Sequence, residues 1–144
     1  MPAKTTGASD LASSLRPALL RLTRLVRNQR VDTSITLTQL SAMGALLKHG
    51  PMSAGELAAA EQVQPPSMTK VLANLEERGL VVREAHPTDG RQVILDITDA
   101  GRTLLTEERR SRDAWLSRRL GVLDAEELAL LERVVPVLDK LAEK

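Results

Sequence analysis

The stretch SAGELAAAEQVQPPSMTKVLANLEERGLVVREAHPTDGRQVILDI, residues 53–97, changes its hydrophobic period once, and that change sets the architecture. Met68, Val71, Leu72 and Leu75 stand at i, i+3, i+4 and i+7, one face of a helix. Pro65-Pro66 opens that helix, in the first turn where a missing backbone N–H costs nothing. Gly79 suits the left-handed residue that ends it, and Leu80 can fold back onto it. From Leu80 the period is two. Leu80 to Ala85 reads as one strand, and Val93, Leu95 and Ile97 alternate along a second, with the hairpin signal Asp89-Gly90 between them. Upstream, Ser53-Ala54-Gly55-Glu56 is a capping box that opens a short helix through Ala60, and Glu61 to Gln64 form the turn between the two helices.

Outward from this stretch the pattern is helical. Thr36-Leu37-Thr38-Gln39 is a second capping box, and Leu37, Leu40, Met43, Leu46 and Leu47 form the apolar face of the helix it starts. His49-Gly50-Pro51 ends that helix, with Gly50 free to take a left-handed cap. Nearer the N-terminus, Leu11, Leu15, Leu19, Leu22 and Val26 make a stripe on a helix carrying Arg16, Arg21, Arg24, Arg27 and Arg30; Val31 to Ile35 interrupts it. Thr98 caps a long charged helix reaching about Arg119. Asp124 caps another with Leu128, Leu131, Val135, Leu138 and Leu141 near heptad spacing, which Pro136 is expected to kink.

Three compact helices followed by a two-stranded hairpin define a winged helix-turn-helix. The expected fold is therefore mainly α with a small β-hairpin, the winged lobe being flanked by N- and C-terminal dimerisation helices. The expected organisation is a disordered tail over 1–9, a dimerisation helix over 10–35, the lobe over 36–98 and C-terminal dimerisation helices over 99–144.

Composition excludes several classes of function. Without cysteine there is no disulfide framework, thiolate zinc site, iron–sulfur cluster or thiol redox sensor. Trp115 is the only aromatic, so the core is aliphatic, and stacking platforms for single-stranded nucleic acid are missing. His49 and His86 have no metal-ligand partner at a recognisable spacing. No Gly-rich phosphate loop, H-E-x-x-H motif or nucleophile elbow occurs, so neither a catalytic set nor a cofactor is expected. No apolar run approaches the roughly 20 residues that span a bilayer, and no signal peptide is visible. The expectation is a cytoplasmic protein without a membrane partner. Net charge is +1, which by itself gives no support for a polyanionic partner.

Local distribution does. No acidic residue occurs from Gln62 through Leu75. The inward stripe leaves Ser67, Thr69, Lys70, Ala73 and Asn74 outward, small or hydrogen-bonding side chains of the kind a helix needs to enter a major groove. Gln64 or Ser67 can reach base edges, Lys70 a guanine or a phosphate, and Thr69 a phosphate. Ser53 is either a phosphate contact or a cap. The plain alternative is an ordinary polar helix face. Arg91, just past the Asp89-Gly90 turn, can enter a narrow minor groove with Asp89 holding its guanidinium; the plain alternative is an exposed turn arginine. Trp115 reads as dimer core, and the mixed charges from Glu107 to Arg119 as a solvated helix face. Two functions compete: a homodimeric regulator of double-stranded DNA, and a winged-helix protein-interaction adaptor that does not bind DNA.

Five segments in order, Ser53-Ala54-Gly55-Glu56-Leu57-Ala58, Gln64 to Leu72, Leu75-Glu76-Glu77-Arg78-Gly79-Leu80-Val81, Asp89-Gly90-Arg91 and Ile97-Thr98-Asp99-Ala100-Gly101, resemble the MarR (multiple-antibiotic-resistance regulator) family. The resemblance covers nearly all the chain from about Leu11. It implies a triangular homodimer built on the first, fifth and sixth helices, and a regulator, usually a repressor, reading a pseudo-palindromic operator. It places Gln64, Pro65, Pro66, Ser67, Thr69 and Lys70 on the recognition helix and Asp89 and Arg91 on the wing. Members that sense oxidants through cysteine are no guide to this chain. Many members are released by aromatic acids; here only Trp115 offers an aromatic wall, so a small-molecule effector stays open and unidentified.

Overall fold

The structure, a computed structural model, describes residues 7–143. Its elements are α1 (Ala8–Arg27), α2 (Leu37–His49), β1 (Met52–Ser53), α3 (Ala54–Ala60), α4 (Pro65–Glu77), β2 (Val81–Ala85), β3 (Val93–Ile97), α5 (Asp99–Leu120) and α6 (Ala125–Ala142). Of the expected tail, residues 1–6 lie outside the described residues, while Ala8 and Ser9 belong to α1.

The local signals act as expected. Thr36 accepts from the Gln39 amide while the Gln39 side chain accepts from the Thr36 amide at 2.8 Å, closing the box that starts α2. The same reciprocal pair forms at Ser53 with Glu56 and at Asp124 with Glu127. Gly50 and Gly79 end α2 and α4 with φ of 81° and 70°. α6 continues through Pro136, and α1 through Pro17.

The sheet departs from expectation. The two-stranded hairpin is the larger part of a three-stranded antiparallel sheet in the order β1-β3-β2. Met52 pairs with Leu95 and Ser53 with Ile94, so the chain entering α3 first lays a two-residue strand along β3. The β2–β3 register sets Val81 opposite Ile97 and Ala85 opposite Val93. The loop between them, residues 86–92, is longer than a two-residue turn. Gly90 does not take a positive φ; instead the Gln92 amide donates to Asp89 O at 3.0 Å to close a four-residue turn.

The chain divides into two units. One holds Arg30–Arg110, the other the residues up to Gln29 together with those from Ser111. The first unit is thus wider than the expected 36–98 lobe at both ends. Its core joins Ile35, Leu40, Met43 and Leu46 to Leu57, Met68, Leu72, Leu75, Leu95 and Ile97, all buried. Ile35 and the first turns of α5 belong with it because Ile35 is fully buried and Gly101 is packed against Leu80 and Ile97. In the second unit, α1 and α6 contain no buried residue among those described, although both are rich in leucine.

Candidate nucleic-acid interface

α4 is built so that one face is buried and the other is free. Met68, Leu72 and Leu75 are buried and Val71 partly so, the stripe read from spacing. Opposite them Ser67, Thr69, Lys70, Ala73 and Asn74 are exposed. Gln64 is the N-cap but makes no capping hydrogen bond, and Pro65 and Pro66 occupy the first turn. The side chain of Gln64 is therefore not consumed by the helix start. The amide of Ser67 still points out of the helix N-terminus, with the positive end of the helix dipole behind it.

Individual residues differ in how free they are. No ion pair among the described residues involves Lys70. The Thr69 hydroxyl donates to Pro65 O at 3.0 Å, so it must release that bond before it can donate to a phosphate. Asn74 is not a free side chain: its Oδ1 accepts from Gln39 Nε2 at 2.8 Å, and Gln39 is buried. Asn74 thereby ties α4 to α2, a role that spacing within α4 could not show. Ser53 acts as a cap, its Oγ accepting from the Glu56 amide at 3.1 Å. Beyond the acid-free stretch, Glu76 is held by Arg83 Nε at 3.1 Å, which partly neutralises the first carboxylate on α4.

The wing is ordered by its own side chains. His86 Nδ1 accepts from the amides of Thr88 and Asp89 at 3.2 and 3.1 Å. Asp89 Oδ1 accepts from the Arg91 backbone amide at 3.1 Å. Here the expectation needs correcting. Asp89 grips the backbone of Arg91, closing an Asx turn, and makes no ion pair with its guanidinium. Arg91 itself is exposed.

A second correction concerns the charged residues of α5 and the segment before α2. Glu108 is not on a solvated face; it is buried, 1% exposed. Arg30 lies outside α1 and is half-buried, 3.7 Å from Glu108. Sequence periodicity missed both because their burial comes from a contact between distant parts of the chain. Trp115 is half-buried, with the Arg119 guanidinium 5.4 Å from its ring centroid. Among the described residues no group of His, Asp and Glu could hold a metal ion, and no helix is long and apolar enough to cross a membrane.

Comparison with known proteins places this geometry. The sequence profile of the MarR family matches residues 35–93, which contains α2, α3, α4 and β2 and ends at the first residue of β3. An HTH-type transcriptional regulator of Mycobacterium tuberculosis is 40% identical over 134 residues, 93% of this chain and 94% of that one. The HTH-type transcriptional repressor MdtR of Bacillus subtilis is 27% identical over 94% of this chain and 90% of its own. A crystal structure of a Pseudomonas aeruginosa protein, 32% identical, superposes with a TM-score of 0.85 over 99% of both chains.

Proposed function

The chain belongs to the MarR family of helix-turn-helix transcriptional regulators, and from that premise we propose that it is a homodimeric repressor that reads a pseudo-palindromic operator with α4 and the wing. The observation that carries this reading is the exposed face of α4, acid-free from Pro65 through Leu75. Gln64, Ser67 and Lys70 stand free on the first turns of a helix whose other face is locked into the core. Direct base contacts by Gln64 and Ser67 are worth about 1–3 kcal/mol each in discrimination, while Lys70 and Arg91 supply charge toward phosphates and the minor groove.

Dimerisation is supported by apolar surface with nothing to cover it in a single chain. In α1, Leu11, Leu19, Leu20, Leu22 and Leu25 are exposed, and in α6 Leu141 is 70% exposed. Apolar faces of this extent on a monomer are rare and mark an association surface. A two-fold dimer presents two α4 helices, so its operator has half-sites about one helical turn apart. Repression agrees with the role for which the Bacillus subtilis relative is named.

The test is to capture genomic fragments with purified protein, sequence them, and footprint the enriched site. Two protected half-sites of related sequence are expected. Enrichment of no fragment over input, or protection of one half-site by a folded monomer, contradicts the proposal.

A further inference from the structure

Two polar ties hold α4 to the chain that precedes and opens α2. At its middle Asn74 accepts from Gln39. At its C-cap, Arg78 donates to Asp32 Oδ2 and to Ser34 Oγ, both at 2.9 Å. Both ties lead into one segment, Arg30 to Gln39. That segment is itself gripped from α5: Glu108 Oε1 accepts from the amides of Val31 and Asp32 at 3.2 and 3.1 Å. Arg30 folds over the segment, donating to the carbonyls of Asp32 and Ile35. Ile35, fully buried, pins it in the core. Asp32 is thus held twice, its amide by α5 and its carboxylate by α4. Ser34 stiffens the turn by donating its amide to Asp32 Oδ1 at 2.9 Å.

A buried ion pair is weak evidence for stability, since replacing the whole pair by apolar side chains is often neutral or better. What Glu108 supplies is direction: two backbone amides in a fixed position. We propose that the segment Arg30 to Gln39 is a strut that sets the tilt of α4 relative to α5, and that Asp32, Ser34 and Glu108 are positioning residues for operator recognition. The proposal rests on α4 being the DNA-contacting helix. Along a helix rising 1.5 Å per residue, Ser67 lies about 16 Å from Arg78, so a tilt of about 5° at Arg78 moves Ser67 by about 1.4 Å. Hydrogen bonds to base edges tolerate only a few tenths of an ångström, whereas a long lysine follows a phosphate through such a shift. Loosening the strut therefore costs sequence discrimination before it costs affinity for DNA in general.

The experiment uses the full-length protein as wild type, as Asp32→Asn with Ser34→Ala, as Glu108→Leu and as Glu108→Gln. Each is titrated onto the genomically selected operator and onto a scrambled duplex at the same salt concentration. In the double variant and in Glu108→Leu, operator affinity is expected to fall about tenfold while scrambled-duplex affinity stays within about twofold. Glu108→Gln, whose amide oxygen still accepts from Val31 and Asp32, is expected to recover most of the loss. An unchanged operator-to-scrambled ratio in the folded double variant overturns the proposal, and so does an equal loss on both duplexes, the mark of a damaged fold. Should Glu108→Leu fail to fold, the double variant on the exposed side of the strut decides alone. A wild type that binds neither duplex refutes the DNA-binding reading and removes the proposal with it.

Discussion

Gly101 faces the carbonyl oxygen of Leu80 so closely that a Cβ on the glycine would lie 2.4 Å from that oxygen and 2.7 Å from Cγ1 of Ile97. The approach is held by Thr98, whose amide donates to Leu80 O at 3.1 Å and whose hydroxyl donates to Gly79 O at 2.7 Å. The same hydroxyl accepts from the Gly101 amide at 3.2 Å. The start of α5 is in this way fastened to the exit of α4 and the root of the wing. Gly101→Ala must push backbone apart, and the expected loss is about 1–3 kcal/mol, as for other overpacked sites. Urea unfolding checks it; a midpoint equal to wild type would contradict the close approach.

The opposite outcome is expected at the turn of the helix-turn-helix. Gln62 has φ of 53°, alone among the described non-glycine residues in being positive. It occupies the position after the C-cap of α3 in a Schellman motif, with the Val63 amide on Ala58 O at 2.9 Å and the Gln62 amide on Ala59 O at 3.3 Å. Gly79 occupies the matching position after α4. A side chain with a Cβ is strained there and glycine is not, so Gln62→Gly should raise stability by about 0.5–1 kcal/mol after its greater freedom in the unfolded chain is allowed for. A lower denaturation midpoint would contradict this.

Asp32 makes part of the stability pH-dependent. Its carboxyl is held below the ordinary value of 3.8, first by the hydroxyl and amide of Ser34 and also by the Arg78 guanidinium. Because the folded value is depressed, the carboxylate stabilises fully above the unfolded value, and the contribution is lost as pH falls through the folded one. Asp32→Asn should be less stable than wild type near neutrality, with the difference shrinking in acid. Parallel urea titrations from pH 7 down to about pH 3 read this directly; a difference that stays constant with pH would mean the carboxylate charge plays no part.

These residues also mark what was legible in the sequence. Thr36, Ser53 and Asp124 were readable as caps, and Gly79 as a C-terminal stop, because each acts on backbone within four residues of itself. The inward stripe of α4 was readable for the same reason, and with it the exposure of Ser67 and Lys70. β1 was not: Met52 and Ser53 become a strand only by meeting Leu95 and Ile94, far along the chain. Glu108 read as a surface charge because nothing nearby in sequence buries it. The bond from Gln39 to Asn74 was not legible, because the two residues lie on different helices. At the wing the residue pair was right and the bond was wrong, since Asp89 can reach either the amide or the guanidinium of Arg91 and spacing does not choose between them.

The central claim is that α4 and the wing meet duplex DNA through Lys70 and Arg91. It is tested most directly by the salt dependence of operator binding for wild type, Lys70→Ala and Arg91→Ala. If each cation releases about one condensed counterion, each substitution lowers affinity and reduces the slope of log K against log salt by about one unit. Dimerisation and unfolding midpoints should be unchanged, because both side chains are exposed and neither makes an ion pair. Three superimposed lines, with equal affinity at every salt concentration, would contradict the account.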